Sequence, residues 1–498
     1  MNRPCKSSNV NYILPPFAQI VNISTKGFSP MKNKYQRLIS NTAILGIGTF
    51  SSKLLVFLMV RFYTACLTPH EYGIADIITQ TANLLIPLLS LGIAEAVFRF
   101  ALDRDEDPAR VFTTGLLTVL GGGAVFLFVV PLFNAFDFFH GYGFMIWAYT
   151  FFSCLHTVAI QFMRARGRMK QFAGYGILST AVTIVLNLIF LLGFDMGITG
   201  YVLSVILSDV LVTALLFFTE SLWKFVRFST LTKKHFSRML RFAVPMIPTT
   251  VFWWITNAAD RYMVLDMIGE DANGQYALAY KIPTLLILFS GIFIEAWQFS
   301  AVRERGDSEH SQFFETVFDS FQALMFIAGC ALTAFSKIAV YVMADNPSYY
   351  PAWQYIPVLS VATIFSSLVT FMGSVYLVEK KSVLSFITSM IGATINIILN
   401  LLLIPTFLGV NGAAIATFMS YFVVFVIRAI NGQKYIRFNM HPLKLAVNTL
   451  IAGIQAFCMV VETPGWIAVQ ILSLCLIFTL NARPIIAGVL QVLRRRGR

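Results

Sequence analysis

Apolar runs of about 20 residues recur along the chain from residue 39 to residue 482, each long enough as a helix to cross the hydrocarbon core of a bilayer. They predict about fourteen membrane-spanning helices, over 39–66, 73–98, 111–134, 141–163, 172–194, 199–218, 242–266, 276–302, 313–336, 352–378, 384–405, 411–430, 443–461 and 464–482. The polar connections are short, the longest lying around Lys337–Pro351. The expected fold class is therefore all-α and polytopic, with no sizeable soluble domain.

The runs also repeat. LGIAEAVFRF in the second span resembles SGIFIEAWQFS in the eighth, which aligns Glu95 with Glu295 at the same offset of 200 residues that relates Arg61 to Arg261. Gly73 aligns with Gly274. LNLIFLLGFDMGITGYVLS (186–204) resembles LNLLLIPTFLGVNGAAIAT (399–417), pairing Asn187 with Asn400, Gly197 with Gly409 and Gly200 with Gly412. An even number of spans per repeat gives both halves the same orientation. The halves are thus expected to form two six-helix bundles in parallel repeat, with the substrate site between them. The domain reading is a cytoplasmic, disordered tail over 1–38, a first bundle over 39–218, an amphipathic cytoplasmic linker over 219–241 and a second bundle over 242–430. Residues 431–498 hold two additional helices and a basic tail.

Composition agrees with the pattern. The chain is 57% hydrophobic and 12% charged, about half the charge of a soluble protein of ordinary make-up. The net charge of +13 is distributed as a membrane protein distributes it. With the N-terminus inside, 32 of the 37 Lys and Arg fall at inner ends, Lys337 alone falls outside, and four lie within spans. That bias places both termini in the cytoplasm and the chain in the cytoplasmic membrane. Clusters such as Arg164, Arg166, Arg168 and Lys170 then read as topogenic anchors that touch anionic membrane lipid. No nucleic-acid partner is expected. The six cysteines show no metal or disulfide spacing. Residues 1–30 lack the apolar centre of a signal peptide, and Met31 is an alternative start. There is no P-loop, metal-ligand spacing or nucleophile motif, so neither an enzyme nor a metal or cofactor is expected.

The candidate chemistry lies in the four cations inside spans: Lys53, Arg61, Arg261 and Lys281. A charge in hydrocarbon is costly and normally faces a protein-lined cavity. Arg grips phosphate through parallel hydrogen bonds and Lys acts as a point charge, so the four are expected to line a cavity for an anionic lipid headgroup. The alternative is snorkelling or structural pairing, for which Lys53 is too deep. Asp76 and Asp260 are expected to balance these charges, although adjacent Asp260 and Arg261 do not face each other on a helix. Glu95 and Glu295, near the inner ends of spans two and eight, are gate candidates; the plainer reading of Glu95 is a helix pair with Arg99. Asp209, near the centre of span six, is a candidate carrier of a coupling proton or sodium ion, with a structural hydrogen bond as the rival. Asn187, Asn396 and Asn400 read as interhelical glue. Pro245, Pro248 and Pro283 interrupt spans seven and eight and suit kinks. Trp253, Trp254 and Trp297 read as packing or interface anchors before sugar platforms. Asp319 reads as a solvated carboxylate near the inner interface.

The segment TINIILNLLLIPTFLGVNGAAIATFMSYF (394–422) resembles the signature of the prokaryotic polysaccharide transporters, the oligosaccharide flippases of the multidrug/oligosaccharidyl-lipid/polysaccharide exporter superfamily. Residues 41–73, QFMRARGRMKQF (161–172) and RFAVPMIPTTVFWWITNAADRYMV (241–264) agree. The resemblance implies two bundles around a central cavity lined by spans one, two, seven and eight, alternating access, and a polyprenyl-diphosphate-linked oligosaccharide as cargo for cell-surface polysaccharide biosynthesis. It also implies glycan polymerase and glycosyltransferases of the same pathway as partners. The lipid II flippases of the superfamily share two extra C-terminal spans and cationic cavity residues. A lipid II-type flippase and a cation-coupled multidrug or metabolite antiporter stay open as alternatives. The basic quartet counts against the antiporter, whose cavity would favour acids and aromatics.

Overall fold

The computed structural model describes residues 55–496, apart from 56, 104, 137–138, 140, 304–309 and 380. Lys53 and the tail over 1–38 lie outside the described residues. Every described element is helical. Eleven helices among the described residues are long and apolar enough to cross a membrane. Ile247–Met267, interrupted by Asp260, Arg261 and Asp266, and the apolar stretch Trp466–Ala482 add two more. The end of the first span completes the expected set of about fourteen.

The first half contains α1 (Val60–Cys66), α2 (Pro69–Leu89), α3 (Ile93–Ala101), α4 (Pro108–Leu127), α5 (Val130–Asn134), α6 (Gly143–Ala165), α7 (Met169–Asn187) and α8 (Gly197–Thr219). Local chemistry sets the starts. The Thr68 hydroxyl accepts from the Glu71 amide while the Glu71 carboxylate accepts from the Thr68 amide, with Pro69 at the first helical position. This capping box satisfies two donors that a helix start otherwise leaves bare. At α4 the Asp107 carboxylate accepts from the Ala109 amide, with Pro108 at the first helical position.

The linker forms two short 3-10 turns and then α9 (Lys233–Ala243), capped by Thr232. It is tied to the first bundle, because Glu106 accepts from Arg238 and lies 3.4 Å from the His235 ring. The second half contains α10 (Ile247–Met267), α11 (Glu270–Lys281), α12 (Thr284–Arg303), α13 (His310–Ala334), α14 (Ser336–Met343), α15 (Ile356–Val378), α16 (Ser382–Leu403) and α17 (Val410–Gly432). Two further helices follow, α18 (Pro442–Val461) and α19 (Trp466–Arg496), the last running well beyond its expected end at 482. Reciprocal amide pairs, Asn448 with Asn481 and Gln455 with Gln470, hold α18 to α19. Such pairs supply the specific interhelical contacts that apolar side chains surrounded by lipid cannot.

The repeat is visible in backbone geometry. Gly197 and Gly409 enter α8 and α17 with φ of +52° and +50°. Gly200 and Gly412 follow three residues later, where a Cβ would meet Phe190 at 3.0 Å and the Leu403 carbonyl at 2.7 Å. Asn187 and Asn400 are both fully buried.

Two expectations need correction. The second span is not one helix: the chain turns at Leu91 and Gly92, with φ of +51° and +64°, between α2 and α3. Pro245 and Pro248 produce no mid-helix kink; they sit in the 3-10 turn and first turn that begin α10, where a missing amide costs nothing. Pro283 does interrupt the eighth span, between α11 and α12.

A buried cluster joins the two bundles at the end carrying Lys337. Val60, Tyr63, Leu67 and Tyr72 of the first half pack with Val264, Tyr276, Ala277, Tyr349 and Ala413 of the second.

Candidate functional site between the bundles

Arg261 of α10 points across the bundle interface. Its Nη1 lies 2.5 Å from both carboxylate oxygens of Asp76 on α2, and the guanidinium stacks 4.7 Å from the Tyr280 ring centroid. Asp76 and Arg261 are each 7% exposed. Asp260, its neighbour in sequence, turns the other way. Its carboxylate accepts from the hydroxyls of Tyr276 (2.7 Å), Tyr280 (3.1 Å) and Thr417 (3.2 Å), so the two side chains part company as a helix requires of adjacent positions. Lys281, at the end of α11, lies within electrostatic reach of both Asp76 and Arg261. Asp76, Asp260, Arg261 and Lys281 thus form one charged group at the junction of α2, α10 and α11.

The remaining candidates lie elsewhere. Arg61 is exposed and pairs with Asp345, its Nη2 3.2 Å from Oδ1, at the Lys337 end. Glu95 is exposed on α3. The side chain of Glu295 lies outside the described residues, as does that of Trp297. Asp209 is buried within the first bundle, where it accepts from Ser153. Trp254 bridges the bundles, its indole N–H donating to the Gln80 carbonyl at 3.0 Å, whereas Trp253 is exposed. Asp319 is ion-paired to Lys444 at 2.6 Å, a contact between α13 and α18 that corrects its reading as solvated.

Next to the charged group the bundles meet backbone to backbone. An added Cβ on Gly73 would sit 2.3 Å from the Glu270 carbonyl oxygen, and one on Gly274 would sit 1.8 Å from the Pro69 carbonyl oxygen. Only glycine permits that approach. The Asn273 amide donates to the Gly73 carbonyl at 2.9 Å, and the Tyr349 hydroxyl to the Leu67 carbonyl at 2.9 Å. His70 and Glu270 face each other across the crossing at 2.8 Å. The aligned glycines of the repeat are therefore partners in a seal that closes the Lys337 end.

The model of a family described as "Polysaccharide biosynthesis protein" matches residues 38–297, just over half of the chain. The chain belongs to the polysaccharide biosynthesis protein family. Its eleven described helices of membrane-crossing length and apolarity make this family member a multi-pass membrane protein. An uncharacterized membrane protein of Methanocaldococcus jannaschii is 23% identical over 254 residues, 48% of this chain and 59% of that protein's length. The fold of this chain is similar to that of a multidrug resistance MATE family transporter of the MOP superfamily in an inward-facing conformation, with TM-score 0.65, 17% identity, and coverage of 77% of this chain and 94% of that one. The lipid II flippase MurJ in an inward closed conformation is similar at TM-score 0.65 and 15% identity, covering 90% of this chain and 99% of that one.

Several residues of this family member's site escaped the sequence reading. Tyr276, Tyr280 and Thr417 around Asp260, and Asp345 beside Arg61, carry no local signal, because their partners come from other helices. Arg428 was recoverable. It lies in the apolar run FVVFVIRAI, close to the inner end of its span, where it reads as one more basic anchor. The structure buries it, 6% exposed, with its guanidinium donating to Thr388, to the carbonyls of Val369 and Ser385, and to Ser389.

Proposed function

We propose that this chain translocates a polyprenyl-diphosphate-linked oligosaccharide across the cytoplasmic membrane by alternating access of its two bundles, with both termini cytoplasmic, for cell-surface polysaccharide biosynthesis. The observation that carries the reading is Arg261, held by one bundle against a carboxylate of the other in a membrane protein of the polysaccharide biosynthesis family. A guanidinium taken out of water needs hydrogen-bond acceptors, and anionic oxygens are the strongest of them. Asp76 supplies them in the closed interface, and a lipid diphosphate offers the same oxygen geometry when the bundles part. Lys281 beside the pair, Lys53 deeper in the first span and Arg61 near the Lys337 end supply the further positive charge that a diphosphate requires. Asp76 and Asp260 balance that charge in the absence of cargo. Glu95 and Glu295 serve the gate at the opposite end, and Asp209 couples transport to a proton or sodium gradient. Glycan polymerase and glycosyltransferases of the same pathway are the partners that this cargo implies.

A cation-coupled multidrug or metabolite antiporter is the second reading, favoured by the two carboxylates, Asp76 and Asp260, within the same charged group. Reconstitution decides between the two. Proteoliposomes carrying a fluorescent polyprenyl-diphosphate glycan should expose it to an externally added reagent faster with the protein than without. Arg261→Ala should lower that rate by about tenfold or more, and Arg61→Ala by less, as an exposed pair contributes less than a buried one. Movement of organic cations with no movement of the glycan would establish the antiporter instead.

A further inference from the structure

Asp209 differs from the other buried aspartates. Asp76 has Arg261, and Asp260 has three hydroxyl donors. The hydrogen bond found at Asp209 comes from the Ser153 hydroxyl. No Lys or Arg occurs in residues 143–163 or 171–219, the segments that form the walls around it. Twelve residues into α8, Asp209 sits about 18 Å from that helix's start, near mid-membrane. A carboxylate there without a cation costs several kcal/mol.

One turn further along the same α6–α8 contact lies the second half of the cluster. His156 Nδ1 is 3.1 Å from the Thr213 hydroxyl. Ser153 and His156 are three apart on α6, and Asp209 and Thr213 are four apart on α8, so the two contacts form successive rungs between parallel helices. His156 is near enough to interact with the charge of Asp209. The other titratable groups facing Asp209 are Tyr149 and Cys154 on α6. Across from α8, α2 presents Tyr72 and Asp76, the latter already paired. Ser179 of α7 and Ser208 of α8 are engaged with each other, the Ser208 hydroxyl donating to the Ser179 carbonyl.

We propose that Asp209 and His156 form a proton-binding site inside the first bundle, holding one exchangeable proton between them. With that proton the pair is neutral, a carboxylic acid beside neutral imidazole. Without it the bundle buries a net negative charge. The proton is taken from water and returned to water, and no other bond changes. The ligand is a proton rather than sodium, because sodium needs several oxygen ligands converging on one point. Here the oxygens of Ser153 and Thr213 lie on separate rungs, and imidazole is a poor sodium ligand that protonates readily in the physiological range. The site deepens the transport reading by naming its coupling ion, and it rests on that reading only for the use to which the proton is put.

The test reads the proton directly, without cargo. Infrared difference spectra of the purified full-length protein in lipid nanodiscs, taken across a pH titration, should contain a protonated-carboxyl C=O band that is lost in Asp209→Asn. His156→Gln should shift the midpoint of that band by about one pH unit or more. Sodium chloride exchanged for choline chloride should leave it unchanged. If Asp209→Asn does not fold, wild type carrying 13C-labelled aspartate serves in its place: the band must move with the label, and its midpoint must still respond to His156→Gln. A band that survives in folded Asp209→Asn, that ignores His156→Gln, or that responds to sodium and not to pH overturns the proposal. Failure to move glycan with the band intact would overturn the cargo assignment and leave the proton site standing.

Discussion

At the scale of single residues, the informative contrast is between charges that found partners far along the chain and charges that did not need to. Arg261 and Asp76 are 185 residues apart and buried together. Removing one leaves the other charged and dry. Asp76→Ala should therefore destabilise the folded protein by about 3–5 kcal/mol, read as a fall in the thermal midpoint in detergent. The double variant Asp76→Leu/Arg261→Leu should recover most of that loss, since an apolar pair fills the space without a desolvation penalty. On the proposed function it should not recover transport, because the cation proposed to meet the cargo is gone. A double variant with wild-type translocation would remove Arg261 from the mechanism. The pair Arg61–Asp345 is more than half exposed on both sides. Breaking it should change stability by about 1 kcal/mol or less, measured by the same melt.

At the scale of elements, the break between α2 and α3 shows how local backbone chemistry divides what hydropathy reads as one span. Gly92 has φ +64°, and an added Cβ would lie 3.3 Å from the Ala243 carbonyl oxygen where the linker helix ends. Gly92→Ala should cost about 1–2 kcal/mol from the left-handed backbone alone. Gly176→Ala, where a Cβ would meet nothing within 4 Å, is the matched control within a helix and should be neutral or slightly stabilising. Equal melting temperatures for the two variants would show that the break tolerates an ordinary helical residue. A bend there separates the half of the second span that seals against the other bundle from the half that carries Glu95.

At the scale of the whole molecule, the two halves close one end by bringing Gly73 and Gly274 into backbone contact. For the bundles to alternate, that contact must form and part. Gly73→Leu and Gly274→Leu should leave each bundle folded while preventing the seal, because neither side chain fits within 2.3 Å or 1.8 Å of a carbonyl oxygen. Leu278, fully buried in the closed arrangement, provides the reporter. With the native cysteines replaced, Leu278→Cys should resist a membrane-impermeant maleimide in the otherwise unmodified seal and react when either glycine is leucine. Unchanged protection would mean that the crossing is not what closes this end.

Much of this architecture was legible in the order of residues alone. A bilayer leaves a helix as the practical way to satisfy backbone groups along one chain segment, so the apolar runs dictated all-α class and about fourteen spans. The repeat was legible because Gly197 and Gly409 share a left-handed backbone that glycine adopts most easily, and Gly73 and Gly274 share an approach that a Cβ would block. Charge partners were not legible. Nothing near Arg261 in the chain points to Asp76, nothing near Asp260 points to Thr417, and Arg428 looked like one more interfacial anchor until the structure buried it. Periodicity describes the face a helix turns toward its neighbours, whereas the identity of those neighbours depends on close packing between surfaces hundreds of residues apart. That packing, with the desolvation it imposes on every charge it encloses, was decided only by the tertiary structure.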